Sequence, residues 1–298
     1  MTATLYHQLP DGRRRAYCTY GDPTGFPVFY AHGGPGSRLE GELFHEAAKR
    51  HALRLIAMDR PGLGRSDNLP GRSLLDYPRH IQALADELEL ERYGLLGWSG
   101  GGAPTIAAAY ARPAQAAFVI SIAGYTNFGE FPGGRELLPP ADRRVLKLGQ
   151  VSPLLARFLI KLMQLYLFLA PGAYLNAFIR QASECDRELL AQESTSHLFL
   201  ADQQEALRQG VAGLTEDALI QYADWPFSLV EVQPRVHVFQ GQQDHFVPPA
   251  VGEHLANHLH DGVLHLYPDE GHFLPLSHGD EIFAVARAEL EHQPDISR

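Results

Sequence analysis

The pentapeptide Gly97-Trp98-Ser99-Gly100-Gly101, directly after the apolar run Tyr93-Gly94-Leu95-Leu96, constrains this chain more than any other stretch. A serine between glycines at minus two and plus two fits a sharp strand-to-helix elbow, where side chains on the flanking positions would collide and the serine itself must adopt strained φ/ψ. The segment Ala103 to Tyr110 that follows is rich in small, helix-compatible residues, and Pro104 falls near the first turn, where a missing N–H costs little. Strand, turn and helix come in the order that would expose Ser99 Oγ above a sheet edge. The bland alternative is a glycine-rich loop with Ser99 merely at the surface.

Short apolar runs elsewhere set the architecture: Val28 to Ala31, Leu55 to Met58, Phe118 to Ile122, Val236 to Phe239 and Leu264 to Tyr267. Continuous apolar strands of this length predict a parallel sheet covered on both faces. Between them, Ser37-Arg38-Leu39-Glu40 and Ser73-Leu74-Leu75-Asp76 read as capping boxes, and Ile81, Leu84, Ala85 and Leu88 recur at helical spacing. The alternation is βαβ, hence a doubly wound α/β sheet. It fails between about Gly124 and Val232, where amphipathic helical segments stand without strand runs, so an insertion of helices is expected there.

Composition excludes several classes. With 298 residues, 45% of them hydrophobic, the chain can bury a large core, and a net charge of −10 with no basic cluster beyond Arg13-Arg14-Arg15 argues against nucleic-acid binding. That triplet, after the Asp11-Gly12 turn signal, reads as a solvated hairpin strand. Two cysteines without C-x-x-C spacing and an N-terminus lacking a secretory pattern give a cytoplasmic expectation. Leu154 to Ala170 carries Arg157 and Lys161 and is too short and charged to span a bilayer comfortably, leaving a cap helix, a homodimer interface or a membrane-surface contact, in that order. His254 and His258 share a helix face, but without a third ligand a solvated face is the expectation, with no metal.

Two further titratable groups follow strand runs: Asp244 after Val236 to Phe239, and His272 after Leu264 to Tyr267. In open α/β sheets the carboxyl ends of strands line the ligand crevice, so Ser99, Asp244 and His272 can converge in a nucleophile, orienter and base arrangement. Asp244 could instead be an Asx-turn residue, and His272 a polar helix-flanking one. Asp269 and Glu270 are rival acids, too close in sequence to His272 to reach its ring well, and His32 is a rival base. His32-Gly33-Gly34-Pro35-Gly36 reads better as an anion-binding loop: Pro35 has no N–H, so Gly34 and Gly100 N–H are assigned as oxyanion donors. His32, Trp98 and Phe273 are candidate substrate contacts. A phosphate loop would need a Lys and Ser/Thr ending that is lacking.

These residues, with Asp59-Arg60-Pro61-Gly62-Leu63-Gly64-Arg65-Ser66 and Gly271-His272-Phe273, resemble the α/β-hydrolase superfamily over roughly residues 20 to 124 and 230 to 290. The resemblance implies an eight-stranded, mostly parallel sheet, a Ser-His-Asp triad without cofactor, and a helical cap after the sixth strand. Residues 1–124 and 231–298 would then form the core and 125–230 the cap. His-Gly-Gly-Pro-Gly is similar to the motif of proline iminopeptidases, but those usually carry Gly-Gly-Ser-Trp-Gly at the nucleophile, whereas here Trp98 precedes Ser99. The leading expectation is a serine hydrolase acting on an ester or related acyl bond of a small, mainly apolar molecule, with Phe128, Phe131, Leu154, Phe158, Leu162, Tyr166 and Phe168 as candidate cap walls. The alternatives are three. A peptidase would grip a free amino terminus with cap acids such as Glu130, Glu136, Glu184, Asp186, Glu188, Glu193 or Asp224; carbon–carbon bond hydrolysis would use the same triad; and a weakly catalytic small-molecule receptor would only capture its ligand.

Overall fold

The computed structural model describes residues 3–292. Eight strands, β1 (Leu5–Gln8), β2 (Arg14–Gly21), β3 (Phe26–Ala31), β4 (Leu53–Met58), β5 (Tyr93–Trp98), β6 (Ala116–Ile122), β7 (Val236–Gly241) and β8 (Gly262–Tyr267), form one sheet in the order β1-β2-β4-β3-β5-β6-β7-β8. β2 runs antiparallel to both its neighbours, and β3 to β8 are mutually parallel. Each apolar run read from the sequence lies inside one of these strands.

Three helices, α1 (His45–Arg50), α2 (Asp76–Glu87) and α3 (Gly102–Ala111), alternate with the first strands. The insertion between β6 and β7 follows: α4 (Gly134–Leu137), α5 (Pro140–Val151), α6 (Pro153–Leu169), α7 (Pro171–Ile179), α8 (Glu184–Leu190), α9 (Glu193–Ala206) and α10 (Ala212–Tyr222). The chain then completes the core with α11 (Pro249–His258), α12 (Leu274–Ser277) and α13 (Gly279–Glu291). The inner strands β3 to β7 read as unbroken apolar runs because both faces are covered, whereas the edge strand β8 is only half-buried. Phe29, Leu95 and Val119 pack with α2, α3 and α11, while Val28, Leu96 and Ile120 pack on the other side with α1 and α13.

Three local expectations are corrected. Arg15 is buried rather than solvated: its guanidinium donates to the Arg14 and Asp67 carbonyls, and burial pulls its pKa down to about 10. The first capping box is half made, since Ser37 Oγ accepts from Leu39 N (3.2 Å) but Glu40 turns away to Tyr30 and Gly33. His254 is also buried, its ring between Thr126 Oγ1 (2.9 Å) and the Glu130 carbonyl (3.0 Å) and stacked on His258.

Candidate active site

Ser99 follows β5 at φ +54°, a left-handed backbone that a non-glycine residue adopts only where its surroundings compel it. The compulsion comes from close packing: a Cβ on Gly97 would overlap the Gly101 carbonyl, and one on Gly101 would overlap the Ala31 carbonyl of β3. Ser99 opens a 3-10 turn, Ser99–Gly101, that runs into α3.

His272 sits in the loop after β8 and Asp244 in the loop after β7. Asp244 Oδ2 accepts from His272 Nδ1 at 2.8 Å, while Oδ1 accepts from Phe246 N and Val247 N, each at 2.8 Å. Asp244 is therefore an Asx-turn residue and a histidine partner at once, one oxygen for each. Burial works against the charged imidazole of His272, but the charge and hydrogen bond of Asp244, with Asp186 and Glu40 behind them, outweigh it and raise its pKa above the ordinary 6.5. Trp98 Nε1 donates to the His272 carbonyl (3.0 Å), and its ring lies edge-on against Phe273, so both aromatics read from the sequence hold the histidine loop as well as facing the cavity.

The glycine loop after β3 meets the elbow. Gly33 N donates to Glu40 Oε1 (2.7 Å), whereas Gly34 N lies 3.2 Å from where a Gly100 Cβ would stand, beside Ser99. His32 is corrected as a substrate contact: it is fully buried, absent from the cavity wall, its Nδ1 on the Gly33 carbonyl (2.9 Å) and its Nε2 accepting from Arg60 N (3.2 Å). Burial, and then the neighbouring Arg60 charge, push its pKa well down, which fits a neutral loop fastener rather than a base.

Ser99, His272, Gly34 and Gly100 open onto a cavity of about 550 Å³ between the sheet and the inserted helices. Of the proposed cap walls only Leu162 and Tyr166 line it. Phe128 and Phe131 pack beneath the cap, and Leu154, Phe158 and Phe168 face outward. None of the seven cap acids considered for gripping an amine reaches the cavity. Four carboxylates that the sequence did not assign to the site do: Glu40, Asp142, Asp202 and Asp217, with Arg144 as the one Lys or Arg lining it among the described residues. Burial raises the pKa of Glu40 and of Asp202, the latter also through the charge of Glu40, and burial brings Asp142 up to about 6.

The inserted helices are tied to the core through charge. Arg60 Nε donates to Asp217 Oδ2 of α10 (2.6 Å), its NH2 group reaches the Gly33 carbonyl (2.9 Å), and Arg72 donates to Asp217 Oδ1 (2.5 Å). Ser37 Oγ donates to Asp202 Oδ1 of α9 (2.5 Å). Asp186 of α8 is fully buried, accepting from His272 N on Oδ2 (2.9 Å), Phe273 N on Oδ1 (2.8 Å) and Ser183 Oγ on Oδ2 (2.7 Å). The cap-to-core partners lie between 86 and 165 residues apart, and periodicity alone carries no signal for them.

A strand-ordered Ser, Asp and His at the carboxyl edge of such a sheet, roofed by helices, defines a hydrolase-like class of site. Residues 28–285 match the model of the alpha/beta hydrolase family, and the chain belongs to that family and is, in general class, a hydrolase. It is 28% identical over 258 residues to a 2-hydroxy-6-oxononadienedioate/2-hydroxy-6-oxononatrienedioate hydrolase of Paraburkholderia phymatum, covering 84% of this chain and 81% of that one. A protein of the same name from Cupriavidus pinatubonensis is 27% identical over 228 residues, 76% of this chain and 72% of the relative. Among solved structures, an esterase from Exiguobacterium antarcticum superposes with a TM-score of 0.70 at 16% identity, covering 97% of this chain and all of that one (100%), a likeness of fold.

Proposed function

We propose that this protein is a serine hydrolase that cleaves an ester or related acyl bond of a small, mainly apolar substrate. Ser99 attacks the carbonyl carbon as its proton passes to His272 Nε2, Asp244 stabilises the imidazolium, and Gly34 and Gly100 N–H hold the oxyanion. His272 then protonates the leaving oxygen, and water, deprotonated by His272, releases the acid from Ser99. The observation that carries the reading is the 2.8 Å bond from His272 Nδ1 to a buried Asp244, on the cavity that Ser99 enters from a strained elbow.

A second reading, hydrolysis of a carbon–carbon bond on the same three groups, is favoured by the names of the relatives. Those names denote dicarboxylates, and the cavity wall here carries Glu40, Asp142 and Asp202 against Arg144, with Asp217 paired to Arg60 and Arg72; a wall with one cation supports an uncharged substrate instead. Fluorophosphonate labelling of wild type and Ser99→Ala, competed by p-nitrophenyl esters, aminoacyl-arylamides and a ring-cleavage dienedioate, separates the options. Ester competition is expected; stronger competition by arylamide or dienedioate moves the assignment to a peptidase or a carbon–carbon hydrolase. Folded wild type that takes no label removes the activated serine and favours the receptor reading.

A further inference from the structure

The outer face of α6 is apolar and uncovered. Leu154 (68% exposed), Phe158 (64%) and Leu169 (81%) stand with Leu165 in one stripe, because positions 154, 158, 165 and 169 fall on one side of a helix, with Leu162 at its margin toward the cavity. The opposite side, Ala156, Ile160, Gln164 and Leu167, is buried in the cap. Sixteen residues, Leu154 to Leu169, at 1.5 Å each give the stripe a length of about 24 Å, a contiguous apolar surface of the sort that marks an interaction site.

Charge selects the occupant. Arg157 and Lys161, at i and i+4, flank one edge of the stripe, and neither is in a salt bridge among the described residues. Between residues 140 and 182 the sole acidic residue is Asp142, which lines the cavity with Arg144, while Arg143, Lys147 and Arg180 are further bases of the same span. The chain as a whole carries −10, so this region is a basic island on an acidic protein. A two-fold pairing through the stripe would bring Arg157 and Lys161 of both copies to one interface without acidic partners, which opposes a second copy. An anionic bilayer surface accepts apolar side chains and bases together. Among the described residues no single helix is long and apolar enough to cross a membrane, and α6 breaks by 116° into α7, a geometry suited to lying in the interface plane.

We propose that the outer face of α6 docks this protein on anionic phospholipid, with Phe158 and Leu165 in the acyl boundary and Arg157 and Lys161 at the headgroups. The inference rests on the surface alone and not on the catalytic reading. Leu159, Ile160 and Met163 of the same helix line the cavity, so α6 would be the partition between the lipid and the site.

Co-sedimentation of the full chain with vesicles of phosphatidylcholine alone, or mixed with phosphatidylglycerol, tests it. Wild type is expected to pellet with the anionic vesicles, at least tenfold more weakly with neutral ones. Arg157→Glu/Lys161→Glu is expected to cost roughly 30-fold or more in partitioning, and Phe158→Glu/Leu165→Glu to abolish it. Wild type left in solution with both vesicles overturns the proposal, as does equal binding to both or binding that survives either double variant. A dimer by light scattering that Phe158→Glu/Leu165→Glu dissolves, without vesicle binding, assigns the face to a second copy. Should the stripe variant fail to fold by circular dichroism, the charge variant decides alone.

Discussion

Asp186→Asn tests the tie between the cap and the histidine loop. The carboxylate accepts from His272 N, Phe273 N and Ser183 Oγ with no solvent contact, so the amide turns one acceptor into a donor facing a backbone N–H that has no other outlet. Hydrogen bonds to a buried charge are worth about 1.5–3 kcal/mol each, and an orphaned donor costs about 1–3 kcal/mol, so the net loss of stability is about 2–4 kcal/mol. For a chain of this size that lowers Tm by about 4–10 °C. The substitution also removes a negative charge behind His272, whose surroundings otherwise present Asp244, Glu40 and Asp142. As the proposed base, His272 must be neutral to act, and its pKa is raised in the native protein, so the acid limb of kcat/KM on a p-nitrophenyl ester is expected above pH 6.5. In Asp186→Asn that limb moves to lower pH. A limb that stays put while Tm falls would reduce Asp186 to a structural clamp; an unchanged Tm as well would refute the reasoning. Gly271→Ala gives an independent check, because its Cβ would overlap Asp186 Oδ2 and Ser183 Oγ, and a matching drop in Tm is expected.

Ser99→Gly relieves the positive φ while deleting the proposed nucleophile, so ester turnover should fall by about 10⁴ or more while the chain gains about 1 kcal/mol in chemical denaturation. Arg60→Ala leaves buried Asp217 with Arg72 alone and frees the Gly33 carbonyl, a loss of about 3–5 kcal/mol on urea unfolding; Arg60→Lys, without the planar fork, should recover only part of it. Glu40→Ala orphans Gly33 N–H beside the proposed oxyanion donors and is expected to lower kcat by about tenfold or more with little change in KM, whereas Glu40→Gln, which keeps an acceptor, stays close to wild type in steady-state kinetics.

The sheet was legible because doubly covered strands must be apolar on both faces, and each such run became a strand. Ser99 was legible because the elbow demands glycine at Gly97 and Gly101, a local constraint written in adjacent letters. The proximity of Asp244 and His272 was inferred from strand ends, and the structure brings them to hydrogen-bond distance. What escaped depends on contacts between distant segments. Glu40 read as a helix-capping residue because its spacing from Ser37 fits one, yet Asp202, 165 residues from Ser37, takes that serine's N–H. His32 stands at a strand end as the other site groups do, and only the arrival of Arg60 shows that both its nitrogens are engaged. Helical periodicity told that the insertion was helical, but not that its most apolar face would point outward.

The ties between cap and core are unevenly distributed. Asp186 on α8, Asp202 and Glu205 on α9, and Asp217 on α10 each bond to groups of the core, whereas α5 to α7 make no hydrogen bond or ion pair to the sheet side among the described residues. Lifting α8 would strip His272 of its backbone anchor, so a path for substrate that opened there would dismantle the machinery it served. The side of the cavity walled by α6 carries no such bond, so a displacement of that helix would leave the contacts of Asp186, Asp202 and Asp217 in place.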